Sequence, residues 1–122
     1  MKAFIVDDAA IVVEVLTRAL ADLDGIELCG QTGRVRDALV MIAQRQPDLV
    51  ILDVHLEDGS GLDVLRHLRQ QSSRPVIVMF SNDALMRAAV LDAGADYFFD
   101  KSIEFQPMLA TLKTLQSEFQ RS

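Results

Sequence analysis

The chain carries Pro47-Asp48-Leu49-Val50-Ile51-Leu52-Asp53, four branched apolar residues in a row that end on an aspartate. The stretch then enters Val54-His55-Leu56-Glu57-Asp58-Gly59-Ser60-Gly61, a Gly-rich turn. A strand with one solvated face would alternate, whereas an unbroken apolar run marks a strand covered on both faces, as in a parallel sheet. Ligands of open α/β sheets gather at the carboxyl ends of their strands. Asp53 therefore stands where chemistry is expected.

The rest of the chain repeats that pattern. Residues 3–6 form a short apolar run closing on Asp7-Asp8, residues 76–80 a fully apolar run entering Ser81, and residues 96–99 a run entering Asp100-Lys101-Ser102. Residues 26–30 alternate loosely and read as an outer strand, with Gln31-Thr32-Gly33 as the turn after it. Between these lie helical patterns. At about 100° per residue, Val12, Val15, Leu16, Ala19, Leu20 and Leu23 share one face of a helix over residues 10–23, and Ile11 and Val13 flank that face. Val35, Ala38, Leu39, Ile42 and Ala43 recur at helical spacing before Pro47. Leu62, Leu65 and Leu68 line a helix over residues 61–71, after which Ser72-Ser73-Arg74-Pro75 reads as a turn. Ser81-Asn82-Asp83 offers a cap to a helix over residues 84–93, and Gly94 takes its C-terminal cap position. Met108, Leu109, Leu112 and Leu115 line a last helix over residues 104–119.

Five strands alternating with five helices require right-handed crossovers and a parallel sheet with helices on both faces. The expected fold is α/β: a five-stranded, doubly wound (βα)5 domain over residues 1–122, of flavodoxin-like strand order 2-1-3-4-5. No output domain is expected.

Composition narrows the partners. A net charge of -6 with no basic cluster argues against direct nucleic-acid binding, which depends on neutralising phosphates. Cys29 is the single cysteine, so no internal disulfide can form, and it reads as a small buried hydrophobe. No apolar run approaches the ~18 residues of a membrane span, and the N-terminus reaches its acidic pair too soon for a secretory signal. A cytoplasmic location is the expectation.

Strand ends deliver Asp7, Asp8, Asp53, Ser81 and Lys101 to one edge. Three carboxylates in a small space repel one another unless a cation is present. Oxygen ligands suit a hard divalent ion, Mg²⁺ or Mn²⁺. With an ammonium, a hydroxyl and backbone N–H groups, such a site suits a tetrahedral oxyanion. Aspartate is a phosphoryl acceptor in covalent transfer. Asp53 stands alone on the most buried strand, whereas the paired Asp7 and Asp8 are better placed to hold metal.

The succession Asp7-Asp8, Asp53, Ser81, Lys101 on a five-fold β/α alternation resembles a response-regulator receiver domain of two-component signalling, of the stand-alone type. Phe4-Ile5-Val6-Asp7-Asp8, Leu52-Asp53-Val54-His55-Leu56, Asp58-Gly59-Ser60-Gly61 and Ala93-Gly94-Ala95-Asp96-Tyr97-Phe98 resemble its consensus strings. The resemblance implies that Asp53 accepts a phosphoryl group from a histidine kinase or histidine phosphotransfer protein. It implies that Asp8 ligates Mg²⁺ directly, Asp7 through water and His55 through its backbone carbonyl. Ser81 would bond a phosphoryl oxygen, Lys101 would pair with the phosphate, and Phe98 would be the switch residue whose rotamer follows Ser81.

Four positions depart from the family pattern. Ser102 follows the lysine where proline is usual. A cis peptide before a non-proline residue costs about 3 kcal/mol, so this loop is expected to be trans or rearranged. Glu57 stands where proline is common, Asn82 replaces a small residue and narrows access to the phosphoryl site, and Phe98 lacks the hydroxyl of the commoner tyrosine. The His55 and His67 side chains read as solvent-facing. The wide apolar sector at Ile11 and Val13 is explained equally by packing under loops or by a docked partner. Leu85, Met86, Arg87 and Val90, with Tyr97 nearby, form the other candidate surface. Output would pass through an unknown downstream protein, and the chain would be a phosphoacceptor rather than an enzyme. Two alternatives stay open: a receiver-shaped binding module that works unphosphorylated, and an aspartyl-nucleophile phosphatase. Such a phosphatase usually has a second acid where His55 stands.

Overall fold

The computed structural model describes residues 1–72 and 74–121. Five parallel strands form the main sheet: β1 (Lys2–Val6), β2 (Glu27–Thr32), β3 (Leu49–Leu52), β4 (Val76–Ser81) and β5 (Tyr97–Asp100). Their spatial order is β2-β1-β3-β4-β5, the doubly wound, flavodoxin-like order expected. The helices are α1 (Ala10–Ala21), α2 (Val35–Arg45), α3 (Gly61–Arg69), α4 (Arg87–Asp92) and α5 (Phe105–Arg121). A 3₁₀ turn, Ala84–Met86, leads into α4, and His55–Leu56 pairs antiparallel with Gly59–Ser60 just beyond the central strand.

Strand alternation divides the core. Phe4, Val6, Val50, Leu52, Ile77, Met79 and Phe98 point to one face, where Ala38 and Ile42 of α2, Val64, Leu65 and Leu68 of α3, and Val90 of α4 cover them. Ala3, Ile5, Leu49, Ile51, Val78, Phe80 and Phe99 point to the other, under Leu16 and Leu20 of α1 and Met108 and Leu112 of α5. All four residues of β3 are buried, because both faces of the central strand carry helices.

Several boundaries differ from the sequence reading. β2 runs on to Thr32 through residues assigned to a turn, since Gly30, Gln31 and Thr32 pair with Phe4, Ile5 and Val6. The register slips between Ala3 and Phe4, leaving Cys29 as an extra residue, and Arg45 Nη1 donates to its carbonyl at 2.6 Å. Cys29 itself is half-buried rather than buried. Pro47 denies Gln46 the right-handed helical region, and α2 ends with Gln46 at φ 49°. On α1, Val15 is exposed although helical phase assigned it inward, because Leu16 and Leu20 alone face the sheet squarely. The Ser72-Ser73-Arg74-Pro75 turn includes Ser73, which lies outside the described residues.

Candidate functional site

The sheet brings the expected polar residues to one edge. Pairing of the first and third strands continues one step past Leu52, where the Asp53 N–H donates to the Val6 carbonyl at 2.8 Å, and pairing of the first and second continues past Val6, where the Asp7 N–H donates to the Thr32 carbonyl at 2.9 Å. On the other side of the site the Lys101 N–H donates to the Ser81 carbonyl at 3.0 Å. Ladder hydrogen bonds therefore set the backbone positions of four site residues. Gly61 tightens the turn beyond Asp53. Its N–H donates to Val54 O at 2.6 Å, and a Cβ there would collide with the Asp53 carbonyl.

Side-chain contacts then close the pocket. Lys101 Nζ lies 2.7 Å from Asp7 Oδ2 and 2.9 Å from Asp53 Oδ2. All three groups are at most 10% exposed, so water screens these charges little. Asp7 Oδ1 accepts the Ala9 N–H at 2.9 Å, and Asp53 Oδ1 accepts the Val54 N–H at 2.7 Å. Each carboxylate is thus oriented by one backbone donor and shares one ammonium.

The electrostatics of Asp7 and Lys101 are set by competing effects. Burial pushes the Asp7 carboxyl above the usual carboxylate range, with nearby Asp53 adding to the rise. Hydrogen bonds from Lys101 and Ala9 offset this only in part. For Lys101, burial alone would lower the pKa, yet the hydrogen bonds to Asp7 and Asp53 overcome it and hold the ammonium above its usual range. The lysine stays a cation, and the pocket keeps an excess of negative charge.

Exposed Asp8 completes an acidic group. One carboxylate oxygen from each of Asp7, Asp8 and Asp53 lies within 4.8 Å of the others. Three carboxylates against one ammonium leave two formal negative charges, and every donor is oxygen, so the residues fit a hard divalent cation such as Mg²⁺.

The other expected residues fall into place unevenly. Ser81 is 1% exposed, and its Oγ accepts the Asp83 N–H at 3.1 Å. Phe98 is buried on β5. Asn82 is exposed and accepts from the Ser102 hydroxyl at 3.4 Å, a contact between the loops flanking Lys101. No cis peptide occurs among the described residues, so the bond before Ser102 is trans as expected. The His55 ring is exposed, with Nε2 2.7 Å from Asp83 Oδ2. Asp83 thus spends its carboxylate on His55 rather than capping the following turn. His67 is also exposed.

Among the surface candidates, Ile11, Leu85 and Tyr97 are exposed, and Val13 and Met86 are half-buried. Val90 is a correction: it is fully buried against the sheet, because it occupies the inward face of α4. Exposed Val15 instead joins Ile11, Val12, Phe80, Lys101 and Phe105 around an open, largely apolar cavity of about 350 Å³ beside the site. The sequence places Arg87 on the candidate partner surface but gives no sign of its contacts, and it gives Glu104 no role. Arg87 Cζ sits 4.7 Å from the centroid of the Phe98 ring, and its Nη2 donates to Glu104 Oε1 at 2.7 Å. Glu104 looks like an ordinary surface charge in the sequence.

The family model of the response regulator receiver domain matches residues 3–113. This chain belongs to the response-regulator receiver family. The response regulator MprA of Mycolicibacterium vanbaalenii is 38% identical over 119 residues, covering 94% of this chain and 50% of that protein. The KDP operon transcriptional regulatory protein KdpE of Escherichia coli is 36% identical over 113 residues, covering 92% of this chain and 49% of that protein. The chain therefore spans about half the length of these curated relatives. The response regulatory domain of mrkE from Klebsiella pneumoniae superposes with a TM-score of 0.91 at 18% identity, covering 100% of both chains, a likeness of fold alone. Among the described residues no helix is long and apolar enough to cross a membrane.

Proposed function

We propose that this receiver domain accepts a phosphoryl group on Asp53 from the phosphohistidine of a histidine kinase or histidine phosphotransfer protein. It then signals through protein contacts in the cytoplasm. The observation that carries this reading is the Asp53 carboxylate, oriented by the Val54 N–H and joined at 2.9 Å to a buried lysine beside two further carboxylates.

An Asp53 carboxylate oxygen attacks phosphorus in line with the phosphohistidine leaving group. The P–O bond forms as the P–N bond breaks, and the electron pair returns to the imidazole. Lys101 Nζ exchanges its contact with the carboxylate for one with a phosphoryl oxygen, so no charge has to be recruited from water. The Ser81 hydroxyl leaves the Asp83 N–H and donates to a second phosphoryl oxygen. Asp7 stays with Lys101 and keeps that side chain aimed. Asp8 and Asp53, with the His55 carbonyl and Asp7 through water, would hold Mg²⁺ or Mn²⁺, which supplies charge neutralisation for the carboxylates and the transferring group.

The test is incubation with acetyl phosphate and Mg²⁺, followed by intact mass. Wild type gains one phosphoryl group and Asp53→Ala gains none; equal labelling of the two would overturn the assignment. A second reading, a binding module that works unphosphorylated, draws on the Ser102–Asn82 contact across the mouth of the site. It predicts that Asn82→Ala restores labelling to a wild type that fails to label. The chain acts here as a phosphoacceptor rather than a turnover enzyme.

A further inference from the structure

Arg87 makes three contacts at once. Its guanidinium stacks 4.7 Å from the Phe98 ring centroid, Nη1 donates to the Phe98 carbonyl at 3.2 Å, and Nη2 donates to Glu104 Oε1 at 2.7 Å. The same Glu104 oxygen accepts the Asp100 N–H at 3.0 Å, while the Glu104 N–H donates to the Asp100 carbonyl at 2.8 Å. Asp100 is thereby held by Glu104 through both its N–H and its carbonyl. The next residue is Lys101, whose ammonium holds Asp53. A continuous series of polar contacts thus runs from α4, through the loop after β5, to the phosphoacceptor.

We propose that Arg87 is a positioning residue that couples the Asp53 site to the start of α4, holding Phe98 buried and the Lys101 loop fastened through Glu104. The proposal deepens the phosphoacceptor reading and rests on it. When Lys101 turns from the Asp53 carboxylate to a phosphoryl oxygen, residues 100–104 must adjust, and Glu104 passes the adjustment to Arg87. The 3₁₀ turn Ala84–Met86, with Leu85 almost fully exposed, is joined directly to Arg87 and receives the change. A planar fork is needed for this, because stacking on a ring while donating to a carbonyl and a carboxylate suits guanidinium and not ammonium. Coupling of this kind is reciprocal: a partner that grips the 84–87 segment would alter phosphoryl binding at Asp53 by the same factor.

The experiment is amide NMR of wild type, Arg87→Ala, Arg87→Lys and Glu104→Gln, titrated with beryllofluoride and Mg²⁺ as the phosphoryl mimic. In wild type the amides of Ser81 and Lys101 shift together with those of Leu85, Met86 and Ala88. In Arg87→Ala the site amides still shift while the 84–88 response falls by at least about fivefold, the lower range of ordinary coupling between sites. Arg87→Lys and Glu104→Gln, which keep the bulk of the side chains, lose part of the response. A merely structural role would leave the ratio of the two responses unchanged. An 84–88 response of wild-type size in a folded Arg87→Ala, or in Arg87→Lys and Glu104→Gln if Arg87→Ala fails to fold, would overturn the coupling. If instead the wild-type site amides ignore beryllofluoride, the phosphoacceptor reading fails, and the coupling fails with it.

Discussion

Two buried cations, Lys101 and Arg69, sit at opposite edges of the same sheet and do different work. Arg69 is 10% exposed, and each of its three guanidinium nitrogens donates to a fixed acceptor: Nε to Gly94 O at 2.7 Å, Nη1 to Pro75 O at 3.1 Å and Nη2 to Asp96 Oδ2 at 2.8 Å. Two of these acceptors are backbone carbonyls, and Asp96 Oδ2 is itself pinned by the Ile77 N–H at 2.8 Å. Lys101, 9% exposed, holds only two carboxylates, and both belong to the group that fits a divalent ion. A structural cation spends its donors on backbone, whereas a working cation spends them on groups that can accept another partner.

Substitution should separate the two cations. Lys101→Ala should cut the rate of labelling by acetyl phosphate roughly a hundredfold, as loss of a preorganised charge donor does, and stopped labelling with intact mass measures it. Arg69→Ala should leave labelling near wild type and lower unfolding stability by about 2 kcal/mol, after discounting for half-exposed Asp96. Urea denaturation reports that loss. A strong labelling defect in folded Arg69→Ala would erase the distinction between the edges.

Asp7→Asn sharpens the contrast within the site itself. Burial holds the Asp7 carboxyl above its usual range, so the ionised form is disfavoured by folding at neutral pH. The variant should melt at a higher temperature than wild type, and that gain should shrink as pH falls and wild-type Asp7 takes up its proton. The same change should weaken Mg²⁺ binding by roughly tenfold or more, at least what loss of an outer-shell partner costs. Calorimetry and a metal titration read the two halves.

The smallest effects lie outside the pocket. Asp58 is held below the usual carboxylate range by the Val35 N–H, then by the Arg36 N–H, at the start of α2. Glu104 is held low by the Asp100 N–H and then by Arg87. A depressed folded pKa contributes stability above the unfolded carboxylate range and loses it as pH falls through the folded value. Asp58→Asn should therefore lower stability slightly at neutral pH and flatten the acid limb of the stability profile. A profile identical to wild type would show that this cap contributes nothing.

The parts of the fold and site that were legible in the sequence are those fixed by local order. Leu49–Leu52 announced a strand buried on both faces, and the residue following each of four such runs is a site residue or adjoins one. Asp7, Asp53 and Ser81 follow from counting one step past an apolar run, and Lys101 from counting two. What the sequence concealed was phase and pairing. Helical phase alone allows Val90 on a partner surface, but the packing of α4 on the sheet turns it inward. Helical phase places Val15 toward the core, and the seating of α1 leaves it open. Arg87 and Glu104 are 17 residues apart, with no periodicity linking them.

Hydrophobic runs and their terminal residues determined which strands exist and which side chains reach the carboxyl edge, because strand geometry is local and its period is fixed. Only the tertiary structure decided which charge neutralises which. Lys101 meets Asp53 from 48 residues away, and Arg87, at the start of α4, meets Phe98 on β5 and Glu104 just before α5. Such pairings depend on how each helix is rotated on the sheet, and small rotations change a charged side chain's partner without changing the hydrophobic pattern that encodes the helix.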